Sequence, residues 1–153
     1  MKNKILIADD EAALLSTMAF TLKRKGYETY TFIEGRSAYE EIINSFQNNK
    51  LYDLIITDIQ MPGLSGMELT RKIREAGIET PVLAISGFGN KKMLDNLTKL
   101  GCNDYLDKPF HMNEFLDRIS KLIKENDTKI LVVKIKKQAD KRIQLNRTKG
   151  EVK

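Results

Sequence analysis

Asp53-Leu54-Ile55-Ile56-Thr57-Asp58-Ile59-Gln60-Met61-Pro62-Gly63 is the stretch that decides the fold. An aliphatic, β-branched run stops on an aspartate, and a Pro-Gly turn follows. The run does not alternate with polar residues. A strand of that kind has no wet face, as in a parallel sheet covered on both sides. The pattern recurs outward in both directions. Ile5-Leu6-Ile7-Ala8 stops at Asp9-Asp10, and Val82-Leu83-Ala84-Ile85 stops at Ser86. Cys102 to Leu106 leads into Lys108-Pro109, and Tyr27 to Ile33, rich in β-branched and aromatic residues, adds a fifth strand.

Helical spacing fills the gaps. Glu11 to Lys25 carries Leu14, Leu15, Met18 and Leu22, and Gly26 stops it. Ser37 to Phe46 places Ala38, Ile42 and Phe46 on one face. Ser65 is a candidate N-cap for a helix running to about Ala76, with Gly77 behind it. Two further helices span about Lys91 to Leu100 and Met112 to Lys124. Five strands alternating with five helices predict an α/β fold. The expected form is a flavodoxin-like, doubly wound, five-stranded parallel sheet in the order 2-1-3-4-5, with a C-terminal extension.

The chain has 153 residues, 41% hydrophobic and 31% charged, enough for one buried core. Residues 1–126 hold 17 basic and 18 acidic side chains, whereas residues 127–153 hold 9 and 3. This shift predicts a nearly neutral domain over 1–126 and a basic tail over 127–153. The apolar runs are too short to span a bilayer, and no secretory signal is read at the N-terminus. A single cysteine, Cys102, excludes an internal disulfide. A cytoplasmic setting is the expectation.

In an open parallel sheet, ligands sit beyond the carboxyl ends of the strands, where strand order reverses. For the order 2-1-3-4-5 that point lies between strands one and three, so Asp9, Asp10 and Asp58 converge there. Three neighbouring carboxylates repel unless one is protonated or a cation neutralises them. Oxygen ligands without His or Cys favour Mg2+ or Mn2+. A carboxylate can attack phosphorus to give an aspartyl phosphate. The Lys108 ammonium and the Ser86 hydroxyl then supply partners for the phosphoryl oxygens. No general base is needed, because a carboxylate is already ionised at neutral pH. Each residue alone is an ordinary strand-end residue, and the joint placement carries the inference.

These segments, with Ser65-Gly66-Met67-Glu68-Leu69 and Asp104-Tyr105-Leu106-Asp107-Lys108-Pro109-Phe110, resemble the receiver domain family, which includes chemotaxis and sporulation regulators. The resemblance covers residues 1–124. It implies a phosphoacceptor response regulator of a two-component or phosphorelay pathway, a signalling protein rather than an enzyme, with slow self-dephosphorylation. Asp58 would be phosphorylated. Asp9 and Asp10 would hold the cation, with Asp58 and the Gln60 backbone carbonyl as further ligands. Lys108 and Ser86 would contact the phosphoryl group, and Tyr105 would be an aromatic switch. A cis Lys108-Pro109 bond, a small Gly87 that admits the donor, and a Gln60 that tunes dephosphorylation are also implied. The implied partners are a histidine kinase or phosphotransfer protein and a downstream protein on the face of helix four, strand five and helix five. The protein itself would be a monomer or weak dimer.

Other readings stand beside these. A haloacid-dehalogenase-type phosphatase also uses an aspartyl nucleophile, but at the end of its first strand. A degenerate scaffold would lack an acid, Ser86 or Lys108. Tyr105 could be a core aromatic, Ser86 a cap, and Lys108 a solvated lysine. Cys102 reads as a small buried thiol, and His111 as exposed and structural. In the tail, the β-branched Ile130-Leu131-Val132-Val133 argues strand, while Leu131, Ile135, Ala139 and Ile143 recur every fourth residue and argue helix. Periodicity leaves both open. The tail is read as a solvated basic extension that packs on the body or a second copy, with a nucleic-acid or acidic-surface contact as the alternative. It has no aromatic residue for base stacking.

Overall fold

The computed structural model describes residues 2–87 and 89–150. Its elements follow in strict alternation: β1 Lys4–Ala8, α1 Ala12–Arg24, β2 Glu28–Phe32, α2 Gly35–Gln47, β3 Leu54–Asp58, α3 Gly66–Glu75, β4 Val82–Ser86, α4 Lys91–Lys99, β5 Asp104–Asp107 and α5 Met112–Gly150. The strands form one parallel sheet, ordered β2-β1-β3-β4-β5, as the sequence predicts.

The unbroken apolar runs are explained by a core on each face. Ile5, Ile7, Leu54, Ile56, Leu83 and Ile85 point to one side, against Leu15, Met18 and Leu22 of α1 and Phe115, Ile119 and Leu122 of α5. The alternate residues Leu6, Ala8, Ile55 and Val82 point to the other, against Ala38 and Ile42 of α2 and Leu69 and Ile73 of α3. β1, β3 and β4 are buried almost throughout, while the edge strands β2 and β5 are only partly covered. Their mixed sequences reflect that position.

Ser65 caps α3 as expected, its hydroxyl accepting from the Glu68 amide at 3.2 Å. Strand five starts at Asp104, two residues later than predicted. Gly101 takes a left-handed turn at φ 94°, and the Cys102 amide then donates back to the Leu97 carbonyl of α4 at 2.9 Å. That amide is spent closing the helix. Strand two is also shorter than predicted, leaving Ile33 outside it and exposed.

The largest departure is α5. The expected end near Lys124 is not an end, because the helix continues to Gly150. No glycine or proline interrupts residues 113–149. The β-branched run at Ile130–Val133 has no partner strand among the described residues, so a helix satisfies its backbone where an isolated strand would not. The chain forms two compact units, one up to Ile123 and one from Lys124 onward. In the second unit residues 127–150 are helical and exposed, and residues 151–153 of the predicted tail lie outside the described residues.

Candidate functional site

Each central strand delivers a polar side chain at its carboxyl end. Asp9 follows β1 and is fully buried, and Asp58 ends β3 and is 6% exposed. Asp10, beside Asp9, is exposed. One carboxylate oxygen from each of the three lies within 4.8 Å of the others. Lys108 reaches in from beyond β5, with its ammonium 3.1 Å from Asp58 Oδ2, 3.3 Å from Asp9 Oδ2 and 3.8 Å from Glu11 Oε2. The peptide bond between Lys108 and Pro109 is cis, as the resemblance implies.

The charges do not balance. One ammonium faces three aspartates and Glu11. Burial pushes the Asp58 carboxyl above its ordinary range; the Lys108 hydrogen bond opposes this, and the Asp9 charge adds to it. For Lys108, burial acts to lower the pKa. The hydrogen bond and charge of Asp58, with Asp9, outweigh it, and the net shift is upward. Asp9 accepts the Glu11 amide at 2.8 Å through Oδ1. Its other oxygen, Oδ2, is buried and accepts no hydrogen bond, although the ammonium lies close by. A buried anionic oxygen that shares one ammonium with Asp58 and Glu11, in an all-oxygen cluster, fits a hard divalent cation. Asp9, Asp10 and Asp58 are the residues to hold it.

A cleft of about 670 Å³ opens onto this cluster, lined by Asp10, Asp58, Gln60, Gly87, Lys108 and Phe110 among others. Gln60 meets Asp58 through its backbone N–H, which donates to Asp58 Oδ1 at 3.3 Å. Strand register pairs Asp58 with Ile85, so Ser86 stands one step beyond the phosphoacceptor candidate. Ser86 is 1% exposed, and its carbonyl accepts the Lys108 amide at 2.9 Å.

Tyr105 stands apart from the carboxylates. Its hydroxyl donates to Asp107 Oδ1 at 2.5 Å and lies 3.2 Å from the Ser86 carbonyl. Burial and the Asp107 carboxylate raise its phenol pKa to about 12. A Cβ built on Gly89 would meet the phenol oxygen at 2.0 Å, so a side chain at residue 89 would displace the Tyr105 ring from this position.

Several contributors escape a reading of the sequence. Arg118 of α5 donates to Asp104 Oδ1 at 2.7 Å and to the Tyr105 carbonyl at 3.2 Å, tying the helix to β5. Its only sequence signal is Glu114 four residues earlier, an ordinary helix pair. Gly66 is another. A Cβ there would lie 2.1 Å from the Asp58 carbonyl oxygen, so α3 seats against the end of β3 only with glycine at its start. His111 is exposed and its carbonyl begins α5, the structural role expected of it. Cys102 is half-buried rather than buried, its thiol facing the Val82 and Asp104 carbonyls.

Comparison with known proteins gives one family. A family model described as the response regulator receiver domain matches residues 5–120. The transcriptional regulatory protein DltR of Streptococcus agalactiae is 32% identical over 133 residues, covering 83% of this chain and 57% of that protein. CrdR of Helicobacter pylori, also a transcriptional regulatory protein, is 30% identical over 132 residues, covering 86% and 60%. The chain thus spans little more than half the length of the curated relatives it matches. Among solved structures, a response regulator receiver domain from Clostridium thermocellum superposes with a TM-score of 0.72 at 30% identity, covering 84% of this chain and 98% of that one. The chemotaxis protein CheY4 of Vibrio cholerae gives 0.72 at 25% identity, covering 80% and 99%.

Proposed function

This chain belongs to the response regulator receiver domain family, and we propose that it receives a phosphoryl group on Asp58 in a two-component pathway. The observation that carries the reading is the meeting of Asp10, Asp58 and Lys108 in one open cleft, with Asp9 buried beside them. The donor would be a phosphohistidine on a kinase or phosphotransfer protein. A carboxylate oxygen of Asp58 attacks phosphorus, the O–P bond forms, and the N–P bond breaks with its electron pair leaving on the imidazole.

The chain's own residues divide the work. Burial makes the Asp58 carboxylate a better nucleophile, and Lys108 holds it ionised and in place. Lys108 can follow the charge as it moves onto the phosphoryl oxygens. Ser86 would donate its hydroxyl to one of them. Gly87 leaves the mouth of the cleft open, and Gln60 stands where it can aid or hinder a hydrolytic water. A divalent cation, Mg2+ by its ligand chemistry, would be held by Asp9, Asp10, Asp58 and the Gln60 carbonyl, and supplies the positive charge that three carboxylates and a phosphoryl group require.

Tyr105 would read the change. Drawn toward a displaced Ser86, its ring would leave Asp107 and turn inward, reshaping the face of α4, β5 and α5 where a downstream protein binds. Phosphorylation shifts a population between two such states. Residues 1–126 are assigned to this receiver and residues 127–153 to a separate basic segment.

The test is phosphorylation by a small-molecule donor with Mg2+, followed by mass spectrometry. The wild type gains one phosphoryl group and Asp58→Asn gains none. An Asp58→Asn protein modified at the wild-type rate would sink the assignment.

A further inference from the structure

In the second unit, Ile130, Leu131, Val132, Val133, Ile135, Ile143 and Leu145 stand 43–58% exposed on α5. So many large aliphatic side chains within a few helical turns mark a surface that meets a partner. Helical geometry sorts them. At 3.6 residues per turn, Leu131, Val132, Ile135, Ala139 and Ile143 fall within one sector of about 120°. Ile130, Val133 and Leu145 fall outside this sector, on the side that carries most of the lysines. Lys134, Lys137 and Lys141 lie on the opposite side, Lys129, Lys136 and Arg147 line one border of the stripe, and Arg142 and Lys149 fall on the stripe itself near its other edge. Residues 127–150 carry eight basic side chains and two acidic ones, Asp127 and Asp140, and both acids fall outside the sector.

Charge decides among the occupants. A second copy would set one strongly basic helix against another, with too few acids to answer the lysines, whereas paired helices flank their seam with opposite charges. A nucleic acid would reward the lysines and leave the aliphatic stripe in water, and no aromatic residue is present to stack on bases. An anionic bilayer surface satisfies both faces at once. The stripe enters the acyl boundary, the bordering Lys129, Lys136 and Arg147 extend their stems to the headgroups, and the lysines of the opposite side stay in water, drawn to the anionic surface at longer range. No described helix is apolar enough to cross the membrane, so the contact is peripheral.

We propose that the Lys124–Gly150 part of α5 binds an anionic lipid surface, with Leu131, Val132, Ile135 and Ile143 inserted and the bordering Lys129, Lys136 and Arg147 on headgroup phosphates. The inference does not depend on chemistry at Asp58.

The full chain is sedimented with phosphatidylglycerol-rich vesicles and, separately, with phosphatidylcholine vesicles. Retention on the anionic vesicles only, declining with added salt, is the expected result. Ile135→Asp with Ile143→Asp should weaken it by at least about tenfold, from the transfer cost of two aliphatic side chains. Lys136→Glu should weaken it by about fivefold or more, from roughly one headgroup attraction per lysine. Both variants should keep wild-type phosphorylation, which reports an intact receiver. Full retention of the double aspartate variant would overturn the proposal, because charge alone would then explain binding. So would tighter binding to a mixed-sequence DNA duplex than to the vesicles, or a stable dimer in sedimentation velocity that no longer binds them.

Discussion

The two halves of the receiver site are built from different materials. The carboxylates and Lys108 meet at the ends of the buried strands β1 and β3, where the ammonium is held against Asp9, Glu11 and Asp58 at 3.1–3.8 Å. Tyr105, Asp107 and Asp104 belong to the edge strand β5, are partly or fully exposed, and are held by hydrogen bonds. The first arrangement stores electrostatic repulsion that a cation can relieve. The second costs little to rearrange. The proposed function draws on that contrast, with an input rigid enough for chemistry and an output loose enough to move.

The sharpest way to break the comparison is at Lys108. Lys108→Ala leaves Asp9 and Asp58 facing one another without the ammonium that lies 3.3 and 3.1 Å from them. Loss of a positioned cation at an oxyanion site costs about 10²–10³ in rate. Phosphorylation by a small-molecule donor should slow by that order, read by mass spectrometry over time. A change of under tenfold would mean that Lys108 only balances charge in the resting state.

Gly66→Ala tests whether the input is rigid. The new Cβ would sit 2.1 Å from the Asp58 carbonyl oxygen, which is backbone and cannot swing away. Either α3 or the end of β3 must shift, at a cost of about 1–3 kcal/mol. A lower denaturant midpoint with slower phosphorylation is expected. An unchanged midpoint would show that the end of β3 is soft.

The sequence made the rigid half legible and hid the other. Asp9, Asp10, Asp58, Ser86 and Lys108 stand where apolar runs end, and a parallel sheet collects its strand ends on one edge. Periodicity and topology therefore carry those residues into a common site without any side-chain detail. Gly66, Gly89 and Arg118 give no such signal. Their roles depend on close approaches between elements and on a hydrogen bond to a carbonyl, none of which has a period. The length of α5 was hidden for a different reason. Ile130–Val133 favours strand by composition, but with no strand to pair with among the described residues, the backbone satisfies itself in a helix.

Stability against pH probes the stored repulsion. The Asp58 pKa is raised in the folded state, chiefly by burial, so the fold disfavours its ionised form. The cost is present when Asp58 is ionised and fades as pH falls through the raised folded value toward the ordinary carboxylate range. Asp58→Asn removes it. Without Mg2+, the variant should melt a few degrees above the wild type at neutral pH, a gap narrowed by solvent screening. The gap should close on acidification. A gap that is constant with pH would assign the gain to packing, and a less stable variant at neutral pH would reverse the sign argued here.

Smaller still is the tie between α5 and β5. Arg118→Ala loses the Asp104 pair and the bond to the Tyr105 carbonyl, but the arginine is 38% exposed. A loss of about 0.2–1 kcal/mol is expected, shrinking with salt, with phosphorylation unchanged. A drop in phosphorylation rate would show the two halves to be more tightly joined than their construction suggests.

The finest test of the output half is Asp107→Asn. Tyr105 titrates at about 12 because burial disfavours the phenolate and because Asp107 accepts from the hydroxyl and repels the anion. Asparagine keeps an acceptor oxygen at that place and removes the charge. The phenol should then ionise at lower pH, seen as the ultraviolet difference between the variant and the wild type. Tyr105→Phe identifies the contribution among the five tyrosines. An exposed bond of this kind is weak enough for the ring to exchange it for an inward position at small cost. An unchanged titration would mean that burial alone holds the ring, and that Asp107 is a bystander to any movement of Tyr105.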